Sequence, residues 1–216
     1  MVRVRELIKD MGNVELFEYL NSVDGHYSDY SSLYIYLSEH PPMHDYYRMM
    51  FKDIDLNCKL FLDLGPGVGD SLDVARDMGA KTYFVDRDIF IGKYCENKGH
   101  GRIHLDFFKF PIPVIGRFDL VLSRGSFNVD MMNRDFPIGD LIRWLVQIGN
   151  HIIVLPTWDK GEVIENNDYT CVGEHMERYL ESKVHKTFLA FGFDQKVTEC
   201  NDRLRFPITY EYSSPL

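Results

Sequence analysis

Residues 61–88 read FLDLGPGVGDSLDVARDMGAKTYFVDRD. The stretch completes an apolar run of strand length, "KLFLDL" from Lys59, and then turns through glycines at 65, 67 and 69. A helical pattern through Leu72 and Ala75 closes near Gly79, and a second apolar run, "TYFVD", ends on Asp86. Strand, glycine turn, helix and acid-tipped strand make one βαβ unit. Its strands are apolar on both faces, which predicts a parallel sheet covered by helices on each side.

The same alternation runs toward the C-terminus. After Asp86 come a short helix, the strand-like runs "RIHLD" (102–106) and "FDLVLS" (118–123), a helix marked by Leu141, Trp144, Leu145 and Ile148, and "HIIVL" (151–155). This is the order of a doubly wound α/β sheet. The last third changes texture. Met176, Tyr179, Leu180, Val184, Phe188 and Phe191 mark a long amphipathic helix ended by Gly192. "QKVTEC" and "FPITYEY" then form a closing antiparallel hairpin through the polar "NDR", with Pro207 confined to a strand start or bulge.

Upstream of Asn57 the spacing is helical instead. Tyr30, Leu33, Tyr34 and Leu37 repeat at i, i+3, i+4, i+7, as do Tyr47, Met50, Phe51 and Ile54, and Pro41 and Pro42 separate the two helices. The chain therefore divides into a helical N-terminal cap, residues 1–56, and a Rossmann-like core, residues 57–216.

Composition bounds the function. The 216 residues are 45% hydrophobic and 26% charged, an ordinary globular balance. A formal net charge of −9 repels a phosphate backbone and disfavours nucleic acid as a partner. The four cysteines, at 58, 95, 171 and 200, form no C-x-x-C pair, so a reduced, cytoplasmic chain is expected. "HIIVLP" is too short to span a bilayer, and the N-terminus shows no signal peptide. Nothing in the sequence settles the oligomeric state.

The turn narrows the ligand. Gly65, Gly67 and Gly69 form G-x-G-x-G, whereas the dinucleotide fingerprint is G-x-G-x-x-G, and its third glycine would fall at Asp70. A carboxylate there competes with a pyrophosphate for the helix N-terminus, although Asp70 suits a helix N-cap. Asp63 adds a second acid to the same mouth. The turn thus favours a ligand with a cationic amine and a sulfonium over one with two phosphates.

In these residues the chain resembles the class I S-adenosylmethionine-dependent methyltransferases. "LDLGPGVG" is similar to that family's D/E-x-G-x-G-x-G motif, and the ordered resemblance spans roughly residues 57–212. It implies S-adenosyl-L-methionine as cofactor, with Asp63, Gly65, Gly67 and Gly69 around its amino-acid end. Asp86 in "YFVDRD" takes the ribose-binding position, beside Arg87, a candidate to stack on adenine. Asp106 in "HLDFFKFPIP" takes the position that meets the adenine amino group, and the Phe107 amide faces a ring nitrogen. "FDLVLSRGSF" corresponds to the fourth strand and its exit, which puts Ser123 near the methionine moiety and makes Arg124 a candidate substrate contact. Tyr30 and Tyr34, on a helix like those that cover the cofactor in small-molecule methyltransferases, are lid candidates.

No catalytic residue is assigned, because methyl transfer is an in-line displacement carried largely by alignment. "LSRGSF" departs from the N/D-P-P-Y signature of nucleobase and amide-nitrogen methylation and leaves O-, C- and other N-methylation of a small molecule open. Three alternatives stand beside this reading: an NAD(P)-dependent oxidoreductase, a methyltransferase-like module that binds cofactor without turnover, and aminopropyl transfer. No metal is expected. His40, His44 and Asp45 straddle the Pro-Pro break and have no third cluster to complete a site.

Overall fold

The computed structural model describes residues 43–107, 109–128, 137–157, 183–199 and 208–213. Its elements are α1 (His44–Phe51), β1 (Leu60–Leu64), α2 (Asp70–Asp77), β2 (Lys81–Val85), α3 (Ile89–Asn97), β3 (Gly101–Arg102), β4 (Phe118–Asn128), α4 (Ile138–Ile148), β5 (Gly149–Thr157), α5 (Lys183–Ala190), β6 (Asp194–Glu199) and β7 (Ile208–Ser213).

Seven strands form one sheet in the order β3-β2-β1-β4-β5-β7-β6. The first five are parallel, and β7 lies antiparallel to both β5 and β6. The doubly wound sheet and the closing hairpin expected from the sequence are both present. Strand order reverses between β1 and β4, so the carboxyl edge of the sheet opens a crevice there.

Each strand feeds two cores by alternation. Leu62, Leu64, Val121, Ile152 and Val154 pack under α4 and α5, whereas Phe61, Phe84, Leu120, Leu122 and Ile153 pack under α1, α2 and α3. Helix α4 buries Ile138, Leu141, Ile142, Trp144, Leu145 and Ile148, a stripe at helical spacing. From α5, Phe188 stacks on Tyr212 of β7 with ring centroids 4.0 Å apart, and Gly192 at φ +77° ends the turn. Helix α1 is tied to β1 by Phe51 against Phe61, edge-on at 5.5 Å.

Three expectations need correction or limits. "RIHLD" is not a five-residue strand, because β3 ends at Arg102. A last bond from the Ile103 amide to the Phe84 carbonyl closes this edge pairing, and the chain turns away. Asp70 is not the N-cap of α2: Gly69 is, and Asp70 is the first helical residue with its side chain engaged elsewhere. The helix carrying Tyr30 and Tyr34 lies outside the described residues, as does the long C-terminal helix before Lys183.

Candidate functional site

The glycine turn sits on the carboxyl edge between β1 and α2. Gly65, Gly67 and Gly69 have φ of +79°, +57° and +82°, a conformation L side chains rarely adopt, so the turn requires all three. The Gly65 amide bonds the Val85 carbonyl at 2.9 Å, and the Gly69 amide bonds the Pro66 carbonyl at 3.0 Å. The turn is therefore stitched to the end of β2 and to itself.

Asp63, the last acid of β1, is 1% exposed. Ser71 of α2 donates to its Oδ2, and its Oδ1 is buried with no hydrogen-bond partner. Burial pushes this carboxyl up to about 7, against the hydrogen bond from Ser71 and the charge of Arg124, which both lower it. Asp86, at the tip of β2, accepts the Asp88 amide at 2.8 Å, and burial pushes its carboxyl up to about 6. The charge of Asp86 raises Asp63 only as a lesser contribution. Ser123 lies one residue past the last position of β4 paired with β1, with its Oγ buried and unpartnered. A buried polar atom without a partner costs about 1–3 kcal/mol. Two of them on one sheet edge fit a polar ligand seated there.

The loop bearing Asp86 is held by a residue the sequence reading missed. Arg102 of β3 donates to the Asp86 carbonyl at 3.0 Å and the Asp88 carbonyl at 3.2 Å. Its guanidinium passes so close to Gly92 of α3 that a Cβ there would lie 2.0 Å from it. Gly92 in "FIGKY" was the available signal.

A shallow cleft, partly open to solvent, adjoins the turn and is lined by Met43, Tyr47, Pro66, Gly67, Val68, Asp70 and Arg124. Helix α1 forms one wall. The Met43 amide donates to Asp70 at 2.9 Å, and His44 lies 3.5 Å from Asp70 and 3.9 Å from Asp73. Arg124 donates to the Tyr47 hydroxyl at 3.2 Å and lies over the rings of Tyr46 and Tyr47. Burial pushes the Tyr47 phenol up to about 12, so it keeps its proton. Tyr47 belongs to the second stripe of the N-terminal cap, and the sequence reading singled out Tyr30 and Tyr34 in that cap, not Tyr47.

His44, Asp70 and Asp73 bring one potential ligand atom each within 4.8 Å of one another. Asp73 already carries His100 together with Lys98 and Arg76, whose two cations oppose a metal ion. The cluster is read as the tie between α1 and α2. Asp45, paired with His44 in the sequence reading, faces Arg48 instead.

The adenine-side residues are less convergent. Asp106 lies 3.4 Å from Lys109, Arg87 is exposed, and Phe107 is buried in the core beneath α4.

No family model and no curated protein matches the sequence. Solved structures match it in fold. A protein from Methanococcus maripaludis assigned as an S-adenosyl-L-methionine-dependent methyltransferase superposes with a TM-score of 0.58 at 12% identity, covering 86% of this chain and 91% of its own. The fold is that of the class I methyltransferases. The magnesium protoporphyrin IX methyltransferase of Synechocystis, solved with S-adenosylmethionine bound, gives a TM-score of 0.53 at 14% identity, covering 99% of this chain and 96% of its own. A protein from Pyrococcus horikoshii assigned as an RNA methyltransferase gives 0.50 at 17% identity, covering 80% and 83%. At these identities the class I methyltransferase likeness speaks for the fold, and residue roles rest on the geometry above. Among the described residues no helix is long and apolar enough to cross a membrane.

Proposed function

We propose that this protein is an S-adenosylmethionine-dependent methyltransferase acting on a small-molecule acceptor. The observation that carries the reading is the glycine turn flanked by the buried Asp63 and the half-buried Asp86, with the unpartnered Asp63 Oδ1 on the same sheet edge. When bound, the cofactor supplies a methyl group on a sulfonium for in-line transfer. Asp86 accepts from ribose hydroxyls, Asp63 faces the cationic amino-acid end, and Asp106 with the Phe107 amide receives the adenine. Ser123 contributes from within β4, just past its pairing with β1. Tyr47 and Arg124 line the acceptor side of the cleft and narrow water's access to it, and Tyr30 and Tyr34 complete the lid.

The acidic turn distinguishes this reading from a nicotinamide enzyme, because Asp63 and Asp70 would face a pyrophosphate with two carboxylates. The net charge of −9 supports a small acceptor over RNA, although the Pyrococcus horikoshii protein shares the fold. Calorimetry with S-adenosylmethionine, S-adenosylhomocysteine, NAD and NADP tests the cofactor. Binding of the first two alone is expected, and Asp86→Ala should weaken it roughly tenfold to a hundredfold, the loss of a hydrogen bond to a charged group. Saturable binding of a dinucleotide with no response to the sulfonium ligand would sink the reading.

A further inference from the structure

Behind the glycine turn, on the side away from the cleft, the C-terminal end of α3 presents two polar side chains to the backbone. Lys98 Nζ donates to the Val68 carbonyl at 3.0 Å, and Cys95 Sγ donates to the Gly67 carbonyl at 3.5 Å. Lys98 is itself held by an ion pair to Asp73 of α2. Asp73 also takes Arg76 at 2.7 Å and the fully buried His100 at 3.2 Å, and the other ring nitrogen of His100 meets Thr82 of β2 at 2.8 Å. Burial alone would raise the Asp73 carboxyl, yet the bonds from His100 and Lys98 outweigh it and hold the group down at about 2. Asp73 is thus an anion throughout the neutral range, and Lys98 has a fixed anchor. Burial pushes the Cys95 thiol up, so it stays an S–H donor and not a reactive thiolate.

These two bonds fix which way the turn's peptides face. A trans peptide is planar, with its carbonyl and its N–H on opposite edges. With the Gly67 carbonyl turned back to Cys95, the Val68 N–H on the opposite edge faces away from α3, and Val68 lines the cleft. With the Val68 carbonyl turned back to Lys98, the Gly69 N–H is delivered to Pro66 at 3.0 Å. Gly69 at φ +82° packs so closely that a Cβ would lie 3.1 Å from Cys95 Sγ. Three glycines leave the turn little stiffness of its own, because glycine has the most backbone freedom to lose. Beyond its stitch to β2 and to itself, the stiffness comes from α3.

We propose that Lys98, assisted by Cys95, is a positioning residue that orients the glycine turn for the amino-acid end of the cofactor. The inference rests on the cofactor reading above. The variants are Lys98→Met, the double variant Lys98→Met/Asp73→Asn, which removes the carboxylate that the first would leave short of a cation, and Cys95→Ala. Each is measured for Tm and for affinity toward S-adenosylhomocysteine and toward methylthioadenosine, which lacks the amino-acid end.

The double variant should have a lower Tm, because Arg76 and His100 lose the Asp73 carboxylate, and well below that Tm it should lose about tenfold or more in S-adenosylhomocysteine affinity, as for one charged hydrogen bond. Its affinity for methylthioadenosine should be retained. Cys95→Ala should show a smaller loss with the same ligand selectivity, and Lys98→Arg should recover part of the affinity. Equal losses on both ligands in Cys95→Ala and the double variant would make Lys98 scaffold only and overturn the proposal, as would unchanged S-adenosylhomocysteine affinity. If the unaltered protein binds neither ligand, the cofactor reading itself falls.

Discussion

At the scale of single residues, the site holds its acids in an uneasy state. Asp63 sits at about 7 and Asp86 at about 6, both raised first by burial. A carboxyl whose folded value exceeds its unfolded value near 3.8 binds protons more tightly when folded. The stability it contributes is complete below the unfolded value and is lost as pH rises through the folded one. For Asp63 the penalty at about pH 8 is on the order of 4 kcal/mol. Asp63→Asn cannot ionise, so its Tm should exceed that of the unaltered protein at about pH 8, with the gap closing toward about pH 5. Its affinity for S-adenosylmethionine should fall at the higher pH, where the native carboxylate faces the ligand's cation. Thermal melts across that window check this, and a Tm difference independent of pH would show that Asp63 does not titrate with folding.

At the scale of elements, α1 joins the core and the cleft. One face packs through Phe51 on Phe61, and Tyr47 on the same helix carries its hydroxyl to Arg124 of β4. Removing the ring and removing the hydroxyl should therefore have different consequences. Tyr47→Ala opens a cavity where a side chain 4% exposed stood, a loss of about 3–5 kcal/mol. Tyr47→Phe keeps the packing and should cost only about 1 kcal/mol, while leaving Arg124 without that acceptor. Turnover of a true acceptor should drop in Tyr47→Phe at a temperature well below its Tm, with product-analogue affinity little changed. Normal turnover in a stable Tyr47→Phe protein would make α1 packing and nothing more.

At the scale of the whole molecule, the proposed cofactor contacts sit on one sheet and on the loops that leave its strands, so ligand binding should register in global stability. S-adenosylhomocysteine at about 100 times its dissociation constant adds about 2.7 kcal/mol by mass action. For a domain of this size that raises Tm by roughly 5–10 °C. Single-stranded RNA at physiological salt should leave Tm unchanged, because a chain of net charge −9 has little counterion release to gain. An RNA-induced rise matching the ligand's would overturn the small-molecule reading and favour a nucleic-acid acceptor.

The sequence by itself determined the succession of elements, the glycine turn, the acids at 63 and 86 and the antiparallel finish. Each of these is written in residues close together: a two-residue or 3.6-residue period, glycines where φ must be positive, an acid at a strand's end. The extent of β3 was misread because strand length depends on what an edge finds to pair with, and β3 finds β2 only at Gly101 and Arg102, so a single residue of "RIHLD" lies in the strand. The second rank of the site was not legible at all. Lys98 reaches Val68 thirty residues away, Arg102 reaches the Asp86 loop across sixteen, and Arg124 meets Tyr47 across seventy-seven. Asp70, a plausible cap from its neighbours alone, turns instead to the Met43 amide twenty-seven residues upstream. Only the tertiary structure decided these, because a hydrogen bond is chosen by which donor the packed chain brings within about 3 Å, and sequence spacing does not encode that distance.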